Sequence, residues 1–431
     1  MRSDQQQAIN RLAGTSATAF LCAVLCVYPL YIDKFSNLGV TKFTGCFTLF
    51  LLFLLWLVAC TAIGARAPRP RNANGGRDVT LWGVLAFAGT SLISTFTSLS
   101  PTASTWGLGG YYGGLMLVLF TAAGYWAVRS YLDLENLDFV FWVLGITTSI
   151  VAVLYVLNIF NIDLIGAYAD TAVVERAQFF STLGQKDFNG CFFSVALPIV
   201  FYQFLNAKDT RTAVWTGIPA AFGALALAVV DSEALALGIG AAVMVLVCHK
   251  NFTTRHLRRA ALISAAFFGW AAWMHYMRAS VYTQGGTALL AKLGAWQVAL
   301  PCMAASLLLW LVLFVLARKG IAAQAPLYLP GRVITIAVLA VGALAFVLAN
   351  AMPNLPLPES LHNLLVFNDD WGTYRGVAWC AAFGTWADGS LLRKIVGIGP
   401  GMMHTAVAAW AGDAMTARMA TFYAAHNEYL E

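Results

Sequence analysis

The sequence predicts an all-α fold, a polytopic bundle of transmembrane helices, and three observations carry that expectation. Of 431 residues 60% are apolar and 11% charged, with a mean hydropathy of +0.71, whereas a soluble domain carries about 25% charged residues. The apolar residues gather into eleven long, continuous runs. Lysine and arginine concentrate between particular runs rather than between all of them.

The runs are Ala13–Ile32, Thr41–Ile63, Leu81–Leu99, Leu115–Val128, Phe139–Leu157, Gly190–Leu205, Ala213–Val230, Leu235–Cys248, Ala260–Met277, Trp296–Leu316 and Val333–Leu348. About 20 helical residues cross the roughly 30 Å of hydrocarbon in a bilayer, so about 11 spans are expected. Helix is favoured over strand because the runs are continuous, while a barrel alternates polarity in segments of about ten residues. The first run is too long, and its start too weakly basic, for a cleaved signal peptide.

Cytoplasmic loops are enriched in Lys and Arg. An N-terminus inside places Arg66, Arg69, Arg71 and Arg77 in one inner loop, Lys250, Arg255, Arg258 and Arg259 in another, and Arg318, Lys319 and Arg332 in a third. That assignment puts 16 of the 26 Lys/Arg but 6 of the 20 Asp/Glu inside. The net charge of +6 is then a topology signal, and no nucleic-acid partner is expected. Seven of the eight cysteines lie within or beside the runs, with Cys380 the exception, and neither a disulfide framework nor a C-x-x-C metal spacing is present. The chain reads as a single membrane domain, 1–431, in an inner or plasma membrane. Two external segments stand out, 158–189 and a large one at 349–431, and long loops are where function concentrates.

The large segment holds Gly372-Thr373-Tyr374-Arg375-Gly376-Val377-Ala378-Trp379, then Ile395-Val396-Gly397-Ile398-Gly399-Pro400-Gly401, then Ala425-His426-Asn427-Glu428-Tyr429-Leu430. This order resembles the O-antigen ligase and Wzy polymerase superfamily, with its Arg-x-x-x-Trp element, Gly-x-Gly-x-Gly turn and His-Asn-x-Tyr-Leu element. Arg176, followed by Ser181-Thr182-Leu183-Gly184-Gln185 and Phe188-Asn189, is similar to the other external loop of that family. The likeness extends from Arg176 to Glu431. The chain departs from the pattern at Asp231-Ser232-Glu233, where a Ser-Arg pair is usual, at Lys186-Asp187 before Phe188-Asn189, and in one additional hairpin.

The resemblance implies a membrane glycosyltransferase of cell-envelope glycan assembly. Its donor is a glycan on a polyprenyl diphosphate, and its acceptor is a saccharide, lipid or protein hydroxyl. Ligase, polymerase and protein O-glycosylating members share these motifs. Arginine suits the leaving diphosphate, because its permanently charged planar fork grips phosphate oxygens bidentately; Arg176 and Arg375 are the candidates. Histidine suits the acceptor, since its pKa lies near the working pH, and His426 is the candidate base. Trp379, Asn427, Asn189 and Lys186 are the supporting candidates.

Each residue also has a structural alternative. Arg375 could anchor a surface helix with Trp379 packing at the bilayer interface, His426 could cap or flank a further span, and Arg176 could be an ordinary loop residue. The three glycines read as a tight turn rather than a phosphate cradle, lacking the Lys-Ser/Thr ending of a nucleotide loop. The resemblance implies no metal and no cofactor; Asp369-Asp370 and Asp33 are the carboxylates that a divalent ion would use. A transporter or flippase of a lipid-linked saccharide is the alternative function, for which ionisable residues or broken helices inside the spans are the expected signs. The family continues past its histidine element, so further C-terminal spans are expected beyond Glu431.

Overall fold

The computed structural model describes residues 2–66, 78–107, 112–173, 175–280, 292–321, 324–352, 355–369 and 371–408. It is 79% helical, with no strand among the described residues. Each of the eleven apolar runs lies on a helix: α1 (Arg2–Cys22, continuing through Ala23–Val27 to Leu30), α2 (Leu38–Ala62), α3 (Val79–Phe96), α4 (Leu115–Tyr131), α5 (Leu137–Ile159), α6 (Lys186–Asn206), α7 (Thr210–Val229), α8 (Glu233–Cys248), α9 (Thr254–Ser280), α10 (Trp296–Arg318) and α11 (Tyr328–Ala351). In the C-terminal segment α12 (Glu359–Leu365), α13 (Trp371–Ala387) and α14 (Leu391–Val396) follow among the described residues. Among the described residues eight helices are long and apolar enough to cross a membrane, α1, α2, α3, α5, α6, α7, α10 and α11. The protein is a multi-pass helical membrane protein.

The chain divides into two compact units, one of residues 1–17, 47–132 and 338–431, the other of residues 18–46 and 133–337. The second has the larger core. Val151, Tyr155 and Ile159 of α5 meet Phe193 and Leu197 of α6, Leu225 and Val229 of α7, and Leu235 of α8. Small residues set the spacing: a β-carbon on Gly145 of α5 would lie 3.2 Å from Pro219 of α7. The Asp209 carboxylate starts α7, accepting from the Thr212 amide (2.9 Å) and hydroxyl (2.7 Å), as an N-cap aspartate does. Those bonds hold its pKa below the ordinary carboxylate value.

α1 is not regular. Ala23–Val27 is a π-helical turn, a feature frequent at functional positions, and Lys42 of α2 donates to the carbonyls just beyond it, Tyr28 (3.1 Å) and Pro29 (3.0 Å). In the first unit, Asp78 caps α3 by accepting from the Leu81 amide (3.1 Å) and ion-pairs with Arg129 of α4.

Candidate functional site

Segment 158–189, in the second unit, is folded by buried polar groups rather than left as an open loop. Asn158, at the end of α5, accepts from the Ser181 amide (2.6 Å) and donates to the Ile162 carbonyl (3.2 Å). Asn189, fully buried in the first turn of α6, donates to the carbonyls of Phe180 (3.2 Å), Gly184 (3.0 Å) and Gln185 (3.1 Å) and accepts from the Ser181 hydroxyl (2.6 Å). Ser181 is thereby held at φ 56°, a left-handed conformation that costs a non-glycine residue about 1–2 kcal/mol. Thr182 donates to the Pro29 carbonyl (2.7 Å), the one that also receives Lys42. Phe180 stacks on Tyr155 (4.6 Å between centroids) and so joins the main core.

Arg176 stands in a short 3-10 turn, Arg176–Gln178. Its guanidinium lies 5.3 Å from the centre of the Tyr168 ring, and its Nε donates to the Thr171 carbonyl (3.4 Å). Tyr168 is itself buried against Phe35 and donates from its hydroxyl to the Phe179 carbonyl (2.5 Å). Burial and the nearby Asp163 carboxylate push the Tyr168 pKa up to about 12, with Arg176 opposing them. Asp163 in turn accepts from the Ala167 (3.0 Å) and Tyr168 (2.9 Å) amides. Arg176 therefore projects from an ordered base, half-buried.

Lys186-Asp187 and Asp231-Ser232 meet. Lys186 pairs with Asp231 at 3.9 Å, and Ser232 donates to Asp187 at 3.0 Å. Lys186-Asp187 and Asp231-Ser232 thus form one polar patch where α6 and α8 begin. A β-carbon on Gly190 would lie 2.2 Å from the Ser232 Oγ, so the two starts are in close contact.

In the first unit, Arg375 and Trp379 lie on α13. Trp379 meets Trp371 (5.1 Å, 61°) and Phe367 (6.4 Å) and packs on a core of Val377, Ala378, Ala381, Met403 and Val407. The preceding turn closes tightly: the Trp371 amide donates to the Asn368 carbonyl (3.1 Å) and the Val377 amide to the Asp369 carbonyl (3.2 Å). Gly376, next to Arg375, takes the Asn368 carbonyl where a β-carbon would stand, 1.9 Å away, so any side chain there must displace backbone. Gly397, Gly399 and Gly401 all have positive φ, 87°, 106° and 69°, and a β-carbon on Gly399 would come within 2.5 Å of the Ser104 Oγ and 2.8 Å of the Ser98 Oγ. The cluster is a turn against hydroxyl-bearing residues. His426 and Asn427 lie outside the described residues, as does Asp370.

Sequence reasoning passed over Lys42, because one cation did not interrupt an otherwise apolar run. An ionisable residue within an apolar helix is itself a signal of function. Asp33 accepts from the Asn37 side chain (2.8 Å). Among the described residues no three His, Cys, Asp or Glu side chains are grouped to hold a metal ion.

No family model, curated protein or solved structure matches the chain.

Proposed function

We propose that the protein is a membrane glycosyltransferase that moves a glycan from a polyprenyl diphosphate to an acceptor hydroxyl, as O-antigen ligases and Wzy polymerases do. The reading rests on one observation, the ordered appearance of Arg375-x-x-x-Trp379, the Gly397–Gly401 turn and His426-Asn427-x-Tyr429-Leu430 after the apolar helices, with Arg176 after the fifth. On this reading all eleven apolar helices span, the N-terminus is cytoplasmic, and segments 158–189 and 349–431 face outward. Arg176 and Arg375 neutralise the diphosphate as the glycosyl–oxygen bond breaks. His426 takes the acceptor proton as the new glycosidic bond forms, and polyprenyl diphosphate leaves. The positive-φ Ser181 and the buried Asn189 support a segment built to hold Arg176 still, which is how transition-state charge is best stabilised.

A transporter of a lipid-linked saccharide is the second reading, favoured by the π-helical turn of α1 and the Lys42 ammonium bonded beside it. Purified protein in lipid vesicles, given a radiolabelled polyprenyl-diphosphate glycan and candidate acceptors, separates the two. Transfer yields a new glycosidic bond and free polyprenyl diphosphate, whereas transport moves the intact donor across the bilayer.

A further inference from the structure

α9 opens with Arg255, Arg258 and Arg259, three guanidiniums within five positions. Two are occupied. Arg259 donates from Nη1 to the carbonyls of Phe204 (3.0 Å), Leu205 (2.9 Å) and Ala207 (2.7 Å), and Arg255 donates to Ala207. Both close the C-terminal end of α6, where carbonyls lack helical partners and the helix dipole is negative.

Arg258 does something else. Its guanidinium lies 6.0 Å from the centre of the Phe314 ring on α10, and the guanidinium of Arg318 lies 5.2 Å from the same ring. Trp310, one turn back, stacks on Phe314 at 5.5 Å and 21°. No carboxylate forms an ion pair with Arg258 or Arg318 among the described residues.

Both guanidiniums thus stand beside one ring. Planar guanidinium forks match phosphate oxygens in particular. The position selects the source of that phosphate. Arg318 ends the apolar helix Trp296–Arg318, and Leu308, Leu311 and Val315 are exposed along the stripe leading to it, at helical spacing. Acyl chains on that stripe bring a headgroup to the arginines, and basic pockets between transmembrane helices bind lipid headgroups in this manner.

We propose that Arg258 and Arg318, with Phe314 and Trp310, form a binding site for the phosphate of an anionic phospholipid. The site is independent of the glycosyltransferase reading.

The full chain, purified in a neutral detergent, is titrated with short-chain phosphatidylglycerol and, separately, with phosphatidylcholine and inorganic phosphate, reading thermal stability and native mass. Phosphatidylglycerol binds and raises the melting temperature, the other two do not, and Arg258→Gln/Arg318→Gln weakens that binding at least tenfold. Lys250→Gln/Lys319→Gln removes the same charge from exposed positions and leaves binding within twofold. Arg258→Lys/Arg318→Lys keeps the charges, and with them the fold, but loses the forks, and binds several-fold more weakly. Undiminished phosphatidylglycerol binding in both arginine double variants, an equal loss in the lysine double variant, or competition by inorganic phosphate overturns the assignment.

Discussion

Segment 158–189 and the segment from α12 to residue 408 each carry a candidate arginine, yet they are ordered by different physics. The first is stapled by buried polar side chains, Asn158 and Asn189, whose hydrogen bonds fix the Phe180–Gln185 turn. The second is packed by rings and small residues, Phe367, Trp371 and Trp379 on one side and Ala378, Ala381 and Met403 on the other. A buried hydrogen-bonded network admits one geometry and fails steeply when a single group is changed. Ring packing admits small adjustments and fails gradually.

The comparison breaks first at Asn189. Asn189→Asp replaces the amide donors with an acceptor facing three carbonyls, and we expect a loss of about 4 kcal/mol. Hydrogen exchange at the amides of 181–183 should rise together with the fall in stability. Unchanged protection there would show that the segment is held by Phe180 and its core contacts instead.

Gly399→Ala comes next. The left-handed backbone and the approach of Ser104 and Ser98 together make it cost about 2–3 kcal/mol. Thermal unfolding in detergent measures it, and pairing the change with Ser104→Ala should recover only part of the loss, since the approach of Ser98 and φ 106° remain. Full recovery would mean that the backbone there relaxes freely.

Tyr168→Phe is milder, about 1 kcal/mol for the lost bond to Phe179. It carries a pH signature. A tyrosine whose folded pKa is raised from 10.0 to about 12 contributes stability that is complete below pH 10 and is lost as pH rises through about 12. Wild-type unfolding midpoints should therefore fall between those values more steeply than those of the Phe variant, and parallel curves would remove Tyr168 from the network. The smallest effect belongs to Lys186→Gln. Its ion pair with Asp231 is 3.9 Å long with the lysine side chain 47% exposed, and such pairs contribute about 0.5 kcal/mol or less. A loss near that of Asn189→Asp would place Lys186 among the residues that hold the segment.

Much of the fold was readable in advance, and the parts that were not share a cause. Run length and continuity placed a helix at all eleven apolar runs because a long apolar segment has few other ways to satisfy its backbone. The same measure could not see that α1 starts at Arg2, eleven residues before its run, or that α9 takes in Arg255, Arg258 and Arg259, whose guanidiniums find carbonyls and rings only in the folded chain. Nor could it see the π-helical turn at Ala23–Val27, although Pro29, which has no N–H for the Leu25 carbonyl one turn back, lies two residues beyond it. At the candidate site, Asn189 stood out by motif, but its role as the staple of a turn emerges only from its four partners. Lys186 and Asp231 looked like two unrelated departures, because 45 positions separate them in the chain. Lys42 was hidden by the length of the run around it.

Cleavage of a glycosyl–diphosphate bond with the help of Arg176, Arg375 and His426 is the reaction we propose. It is tested most directly by polyprenyl diphosphate release from the reconstituted protein, compared with Arg375→Ala, Arg176→Ala and His426→Gln. Wild-type release should rise with pH, as a rate that depends on a neutral histidine base does, each variant should lose about 10²–10³-fold, and lysine at either arginine position should restore only part of the rate. Release that is absent in wild type with its acceptor present, or that is unchanged in all three variants, contradicts the account.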